Sequence, residues 1–199
     1  MKSPIFRTEQ RIQRLKSVLE KRQTTLTVVL ENIYDPHNLS AALRSCDAVG
    51  IYEVCLVYDG SQPFPKLGAK SSASARKWIQ TRKYKSVAEC FSDLHKEGKK
   101  IYTTNMKKEA VSLYELDLTK PTALVFGNEH SGISEEATQL ADGNFLIPQV
   151  GMIQSLNISV AVAVSVYEAF RQRLEAGMYD KPQFKKAELK RLLEEWGKK

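Results

Sequence analysis

Apolar positions along the chain fall into short continuous runs that alternate with stripes of helical spacing. Ile12, Leu15, Val18 and Leu19 recur every three or four residues, which predicts an amphipathic helix. A Thr- and Val-rich run over 26–30 predicts a buried strand. Asp35 followed by Pro36 is an N-cap with a proline in the first helical position. The helix it opens runs through Leu39, Ala42, Leu43 and Cys46 and stops at Gly50. A second strand is expected at 54–58, and 59–80 reads as one loop rich in Gly, Pro and Ser. Ser86 and Gly98 bracket a helix over 87–96, followed by strands at 100–104 and 122–126. Ser134, Glu135 and Glu136 open a helix ending at Ala141, and a strand is expected at 144–148. The loop 151–157 then feeds a long, nearly all-apolar helix from Ile158 to Phe170 and on to Leu174. Past Gly177 the chain reads as a linker and a final amphipathic helix.

This alternation predicts an α/β fold, a parallel sheet with helices on both faces. The expected division is an N-terminal basic helical extension (1–25), a central domain (26–176) and a basic C-terminal extension (177–199).

Composition narrows the partners. The apolar share of the 199 residues is 42%, enough for a core, and the formal net charge of +7 favours a polyanion. Residues 1–25 hold seven basic side chains (Lys2, Arg7, Arg11, Arg14, Lys16, Lys21, Arg22) against Glu9 and Glu20, a face free to meet phosphate or simply a solvated one. From Lys66 to Lys85 there are seven basic residues and no acidic one, with Trp78 among them. Two readings of Trp78 stand side by side, base stacking in a phosphate-tracking loop and a core anchor. The apolar run at 158–167 is half the length a membrane span needs, about 20 residues. The first residues lack the apolar segment of a secretory signal. Cys46, Cys55 and Cys90 have no metal-ligand spacing, so reduced cytoplasmic thiols and no metal are expected. His37, His95 and His130 are far apart, and His95 is expected to face solvent.

In open α/β sheets, ligands bind beyond the carboxyl ends of strands. Three polar, glycine-containing or polar-rich loops follow strands, at 34–44, 127–132 and 149–157. With Thr104 they define one candidate pocket. Neither a dinucleotide fingerprint nor a Walker loop is present, and there is no nucleophile elbow. Arg44 suits phosphate or carboxylate recognition, or a surface pair with Asp47 or Glu31. Glu129, after an apolar strand, is a functional carboxylate or a loop tie. Ser155 and Asn157 precede a buried helix, where a helix cap is the local reading.

Taken together, Asn38 and Arg44 in NLSAALRSCDAVG, the run VFGNEHSGI from Val125, and the run from Ile147-Pro148 through GMIQSLNISVA resemble the SPOUT class of methyltransferases. Within it the chain is similar to the TrmH-type RNA ribose 2′-O-methyltransferases. The basic N-terminal helix and the GMYDKP tail resemble the longer members, which methylate the D-loop guanosine of tRNA. The resemblance implies a sheet whose carboxyl third is threaded into a deep trefoil knot, S-adenosylmethionine as cofactor, and a homodimer packed partly through the last long helix, each site completed by the second subunit. It implies Thr104, Gly127, Ile147, Met152 and Leu156 around the cofactor. Arg44 would stand at the reacting ribose, as a phosphate-aided base or as the group that steadies the developing alkoxide. Asn38 would orient it, and Glu129, Ser155 and Asn157 would shape the site. Arg7, Arg11, Arg14, Lys70 and Arg76 are the candidate tRNA phosphate contacts. Rival readings are another RNA target, 23S rRNA or a tRNA wobble ribose, and a non-catalytic RNA-binding protein on the same scaffold.

Overall fold

The structure, a computed structural model, describes residues 8–60, 75–104, 110–128, 130–153 and 155–199. Arg7, Lys70 and Glu129 lie outside the described residues. Seven strands form one parallel sheet: β1 (Gln23–Glu31), β2 (Ile51–Val57), β3 (Gln80–Tyr84), β4 (Lys100–Thr104), β5 (Val111–Ser112), β6 (Thr122–Phe126) and β7 (Gly143–Leu146). Their order across the sheet is β3-β2-β1-β6-β4-β7-β5, with β6 between β1 and β4. The register sets Leu30 beside Phe126, Thr103 beside Val125, and Thr104 beside Phe145. The carboxyl ends of β1, β6, β4 and β7 therefore stand side by side, although they are far apart in sequence.

Alternation along the strands sends side chains to two cores. Leu26, Val28, Leu30, Val54, Leu56, Leu124 and Phe126 face α2 (Pro36–Ala48) and α6 (Ile158–Glu175). Val29, Cys55, Val57, Ala123 and Val125 face α4 (Val87–Lys96) and α5 (Glu135–Leu140). Helices thus cover both faces, as the alternation predicts. The expected caps form as well: Asp35 accepts from His37 N, Ser86 from Glu89 N, Ser134 from Ala137 N and Asn157 from Ser159 N.

The segment 59–80 is not one loop. Ala75–Trp78 makes a helical turn, α3, and β3 begins at Gln80. As a sheet edge, β3 buries only Tyr84, so no apolar run marks it. The two-residue β5 and the 3₁₀ turn Leu113–Glu115 are likewise beyond a pattern reading.

The N-terminal helix α1 (Glu9–Glu20) packs against α7 (Lys186–Gly197), joining the two ends of the chain through Leu15, Leu19, Phe184, Leu192 and Trp196. Trp78 belongs to this cluster, with its ring centroid 5.1 Å from that of Trp196, so it anchors packing. Arg22 is not a phosphate-facing residue. It is fully buried, donates to Ile51 O at 2.9 Å, pairs with Asp47 and lies under the Trp196 ring. Helix α7 itself carries Lys186, Lys190 and Arg191 against Glu188, Glu194 and Glu195, so the positive excess of the tail sits on its flanks. His95 bonds Asp142 at 2.9 Å and is exposed, as expected.

A second buried guanidinium, Arg173, pins the end of α6. It donates to Leu118 O, Gln23 Oε1, Thr25 Oγ1, Thr25 O and Lys120 O at 2.8–3.3 Å. Burial pushes it down to about 10, which leaves it cationic at neutral pH.

Candidate active site

A cavity of ≈ 1070 Å³ opens where the end of β4 meets the loops after β6 and β7. Thr104, Gly127, Ile147, Ser155, Leu156 and Asn157, all named from sequence, line it. Asn128, Gly132, Ile133, Phe145 and Ile153 complete much of the wall, so apolar surface is interleaved with a few polar groups, the usual make-up of a small-molecule site.

The β6 loop is closely held. Asn128 and Gly132 exchange backbone bonds at 3.1 and 2.8 Å, and Asn128 Oδ1 accepts from His130 N and Ser131 N. A Cβ at Gly127 would stand 2.2 Å from Gly132 O, so only glycine permits this turn. Thr104 Oγ1 donates to Val125 O at 3.2 Å and ties the end of β4 to β6.

Asn157 does two jobs. Its Oδ1 caps α6 by accepting from Ser159 N at 2.9 Å, and its Nδ2 donates to Asn38 Oδ1 at 3.1 Å. That bond joins the first and third motifs, 119 residues apart. Asn38 is thereby set at the cavity edge from the first turn of α2.

Three described residues named for the site from sequence are not in the cavity lining: Asn38, which reaches it only through Asn157, and Met152 and Arg44. Met152 is 98% exposed, while its neighbours Gly151 and Ile153 line the wall. Arg44 is exposed on α2, and no hydrogen bond or ion pair engages it among the described residues. Its two local carboxylates are committed elsewhere, Asp47 to Arg22 and Glu31 to Ser134 N. Cys46, on the same helix, is fully buried. Burial, with Asp47 beside it, pushes its thiol well up, so it offers no thiolate. Arg11, Arg14 and Arg76 are exposed. No group of three or more metal-ligating side chains occurs among the described residues, and none of their helices is long and apolar enough to cross a membrane.

Glu31 ends β1, Asn32 follows it and Asn128 follows β6; the sequence offered Glu31 only as a partner for Arg44, Asn128 only as part of the second motif, and gave Asn32 no role. The signal was available: a carboxylate directly after an apolar strand is the same feature that singled out Glu129.

Residues 25–167 match the SpoU rRNA Methylase family, and residues 171–197 match the SpoU rRNA methylase C-terminal family. The chain belongs to the SpoU methylase family. Among curated SpoU relatives, the tRNA (guanosine(18)-2′-O)-methyltransferase of Thermus thermophilus is 46% identical over 97% of this chain and 98% of its own length. The crystal structure of the A. aeolicus TrmH/SpoU tRNA modifying enzyme superposes with a TM-score of 0.89 at 39% identity, covering 96% of both chains. An AdoMet-bound rRNA methyltransferase from Sinorhizobium meliloti aligns at a TM-score of 0.65 and 25% identity, over 79% of this chain and 59% of that one. The SpoU match covers the sheet, all three cavity loops and the tail helix, so the cavity lies within the family's shared region rather than in an appendage.

Proposed function

We propose that this chain transfers a methyl group from S-adenosylmethionine to a ribose 2′-oxygen of tRNA, at the D-loop guanosine in position 18. The observation that carries the reading is the cavity lined by second- and third-motif residues and bonded to the first motif through Asn157 and Asn38, in a chain so similar in sequence and length to an enzyme of that name.

The cavity fits the cofactor on its own chemistry. Glycine at 127 lets backbone approach closely, Ile133, Phe145, Ile147 and Leu156 offer apolar surface for a nucleoside, and Thr104 and Asn128 offer polar groups. Backbone groups at Gly127, Ile147 and Leu156, with Thr104, would hold it, and Met152 would close over it from the solvent side. When bound, S-adenosylmethionine supplies a methyl group on a sulfonium.

The chain's own residues supply position and charge. Asn38 and Asn157 fix the ribose end of the cavity, with Ser155 in the same wall, and Glu129 is given a part in shaping the site by its motif alone. Arg44, exposed and without an intramolecular partner among the described residues, is available to a phosphate and to the oxygen that loses its proton. A guanidinium is permanently cationic in proteins, so Arg44 steadies negative charge better than it accepts a proton.

Arg44 reaches the chemistry in a homodimer. Val160, Tyr167 and Leu174 form an exposed stripe on α6, half-buried Val164 lies among them, and Val150 and Met152 project from the neighbouring loop. Such a face is what a second copy would cover. Arg7, Arg11, Arg14, Lys70 and Arg76 meet tRNA phosphates, the carboxyl third of the sheet is threaded as a trefoil knot, and the enzyme acts in the cytoplasm. The working division is a methyltransferase domain over 26–176 with extensions at 1–25 and 177–199.

Labelled S-adenosylmethionine and tRNA transcripts with and without guanosine at position 18 test the reading, with the methylated ribose mapped by nucleotide. Label at position 18 is expected. Label only in 23S rRNA or at the wobble ribose replaces the substrate, and RNA binding with no label in any RNA overturns the activity.

A further inference from the structure

We propose that Glu31 is a positioning residue for methyl transfer, holding the second-motif loop in shape against the cavity by accepting the backbone N–H of Ser134. The inference rests on the activity proposed above.

Glu31 is the last residue of β1 and only 4% exposed. Its Oε2 accepts from Ser134 N at 3.1 Å, across 103 positions of sequence. The next residue, Asn32, has a left-handed backbone with φ of 53°, which asparagine tolerates better than most other residues with a side chain. Asn32 O accepts from Asn128 Nδ2 at 2.7 Å. The last residue of β1 and the residue after it thus grip the loop near both ends, Asn128 at its start and Ser134 at its finish. Between these grips lie Ser131, Gly132 and Ile133, all in the cavity wall. Gly127 packs closely against Gly132, so the two arms of the loop are held together.

The choice of a carboxylate is informative. Burying one is costly unless it is well bonded, and plain packing at a strand end would favour an apolar residue. Glu31 sits where its oxygen meets the first free N–H ahead of α5, and Ser134 also caps that helix through Ala137 N at 3.1 Å. The contact thus relays the position of the interior strand β1 to the cavity wall.

The test uses the full chain with Glu31→Ala and Glu31→Gln. Calorimetric S-adenosylmethionine binding, steady-state tRNA methylation and thermal unfolding are measured for each. Glu31→Ala is expected to weaken cofactor binding by about 10-fold or more and to lower kcat at temperatures where the variant is folded. Glu31→Gln should restore both, because its amide oxygen accepts the same N–H. Wild-type values in Glu31→Ala overturn the proposal, as does a folded Glu31→Gln as impaired as the alanine variant. Should Glu31→Ala fail to fold, Ser134→Pro removes the N–H at a φ of −63° that proline adopts, with Ser134→Ala as control for the lost cap. A defect in Ser134→Pro beyond that of Ser134→Ala supports the contact, and equal behaviour overturns it. Wild-type protein that binds no S-adenosylmethionine speaks against the proposed function instead, a result distinct from any of these.

Discussion

Asn157 separates stability from function within one side chain. Its oxygen caps α6, and its amide nitrogen reaches Asn38. Asp and Asn cap helices about equally well, whereas loss of the cap costs about 1 kcal/mol. Asn157→Asp should therefore unfold near the wild-type temperature, and Asn157→Ala several degrees lower. Both lose the donor to Asn38, and both should lower kcat, on the order of 10- to 100-fold, if that bond aligns the site. A fully active Asn157→Asp would deny the bond a catalytic part. Arg44 poses the complementary case. With no intramolecular partner among the described residues, its removal should leave folding almost unchanged. Arg44→Ala is expected to lower kcat by about 100-fold or more while S-adenosylmethionine affinity, read by calorimetry, stays near wild type. Retained turnover would rule out its role at the ribose.

At the level of elements, the pairing of α1 with α7 turns on one contact set. Trp196 is buried between Trp78 and the fully buried Arg22, whose guanidinium also bonds Ile51 O. Trp196→Ala leaves a cavity and uncovers that cation. We expect a loss of about 3–5 kcal/mol in denaturant unfolding, if the helix pair unfolds together with the sheet. A separate early transition, with the sheet unchanged, would show the pair to be an independent unit. What sequence could and could not foresee divides along the same line. Asp35, Ser86, Ser134 and Asn157 were legible as caps because capping is settled by a residue and its next few neighbours. The buried strands were legible because both of their faces are apolar. Arg22 was not, since its burial depends on Asp47, Ile51 and Trp78, which only the assembled fold brings together. Strand β3 escaped because an edge strand that buries little besides Tyr84 has no periodic signature. The site lay between these cases. Its loops could be named from glycine, polarity and motif resemblance, but the bond from Asn38 to Asn157 depends on tertiary proximity, which neither motif carries.

For the molecule as a whole, charge and architecture make a joint prediction about RNA. The formal charge is +7, and the fold places Arg11 and Arg14 on α1, exposed Arg76 and Lys77 on α3, and Lys198 and Lys199 at the end of α7. The Trp78–Trp196 contact and the α1–α7 pairing gather these elements into one unit, and Lys199 Nζ donates to Lys77 O at 2.7 Å. A surface of this kind binds backbone phosphate with release of counterions, so tRNA affinity should fall steeply and log-linearly with salt. A footprint of 6–10 phosphates would lose about 10³- to 10⁵-fold between 50 and 200 mM, somewhat less where the RNA is single-stranded. S-adenosylmethionine binding in the cavity, whose described wall holds no charged side chain, should change little over the same range. Arg11→Glu with Arg14→Glu should flatten the salt slope for tRNA, raise KM and leave kcat at saturating tRNA near wild type. The mutations alter encounter and grip, not the reacting groups. Salt-independent tRNA affinity, or a reversal variant that lowers kcat with KM unchanged, would place the RNA on a different face and require the extensions to serve some purpose other than phosphate binding.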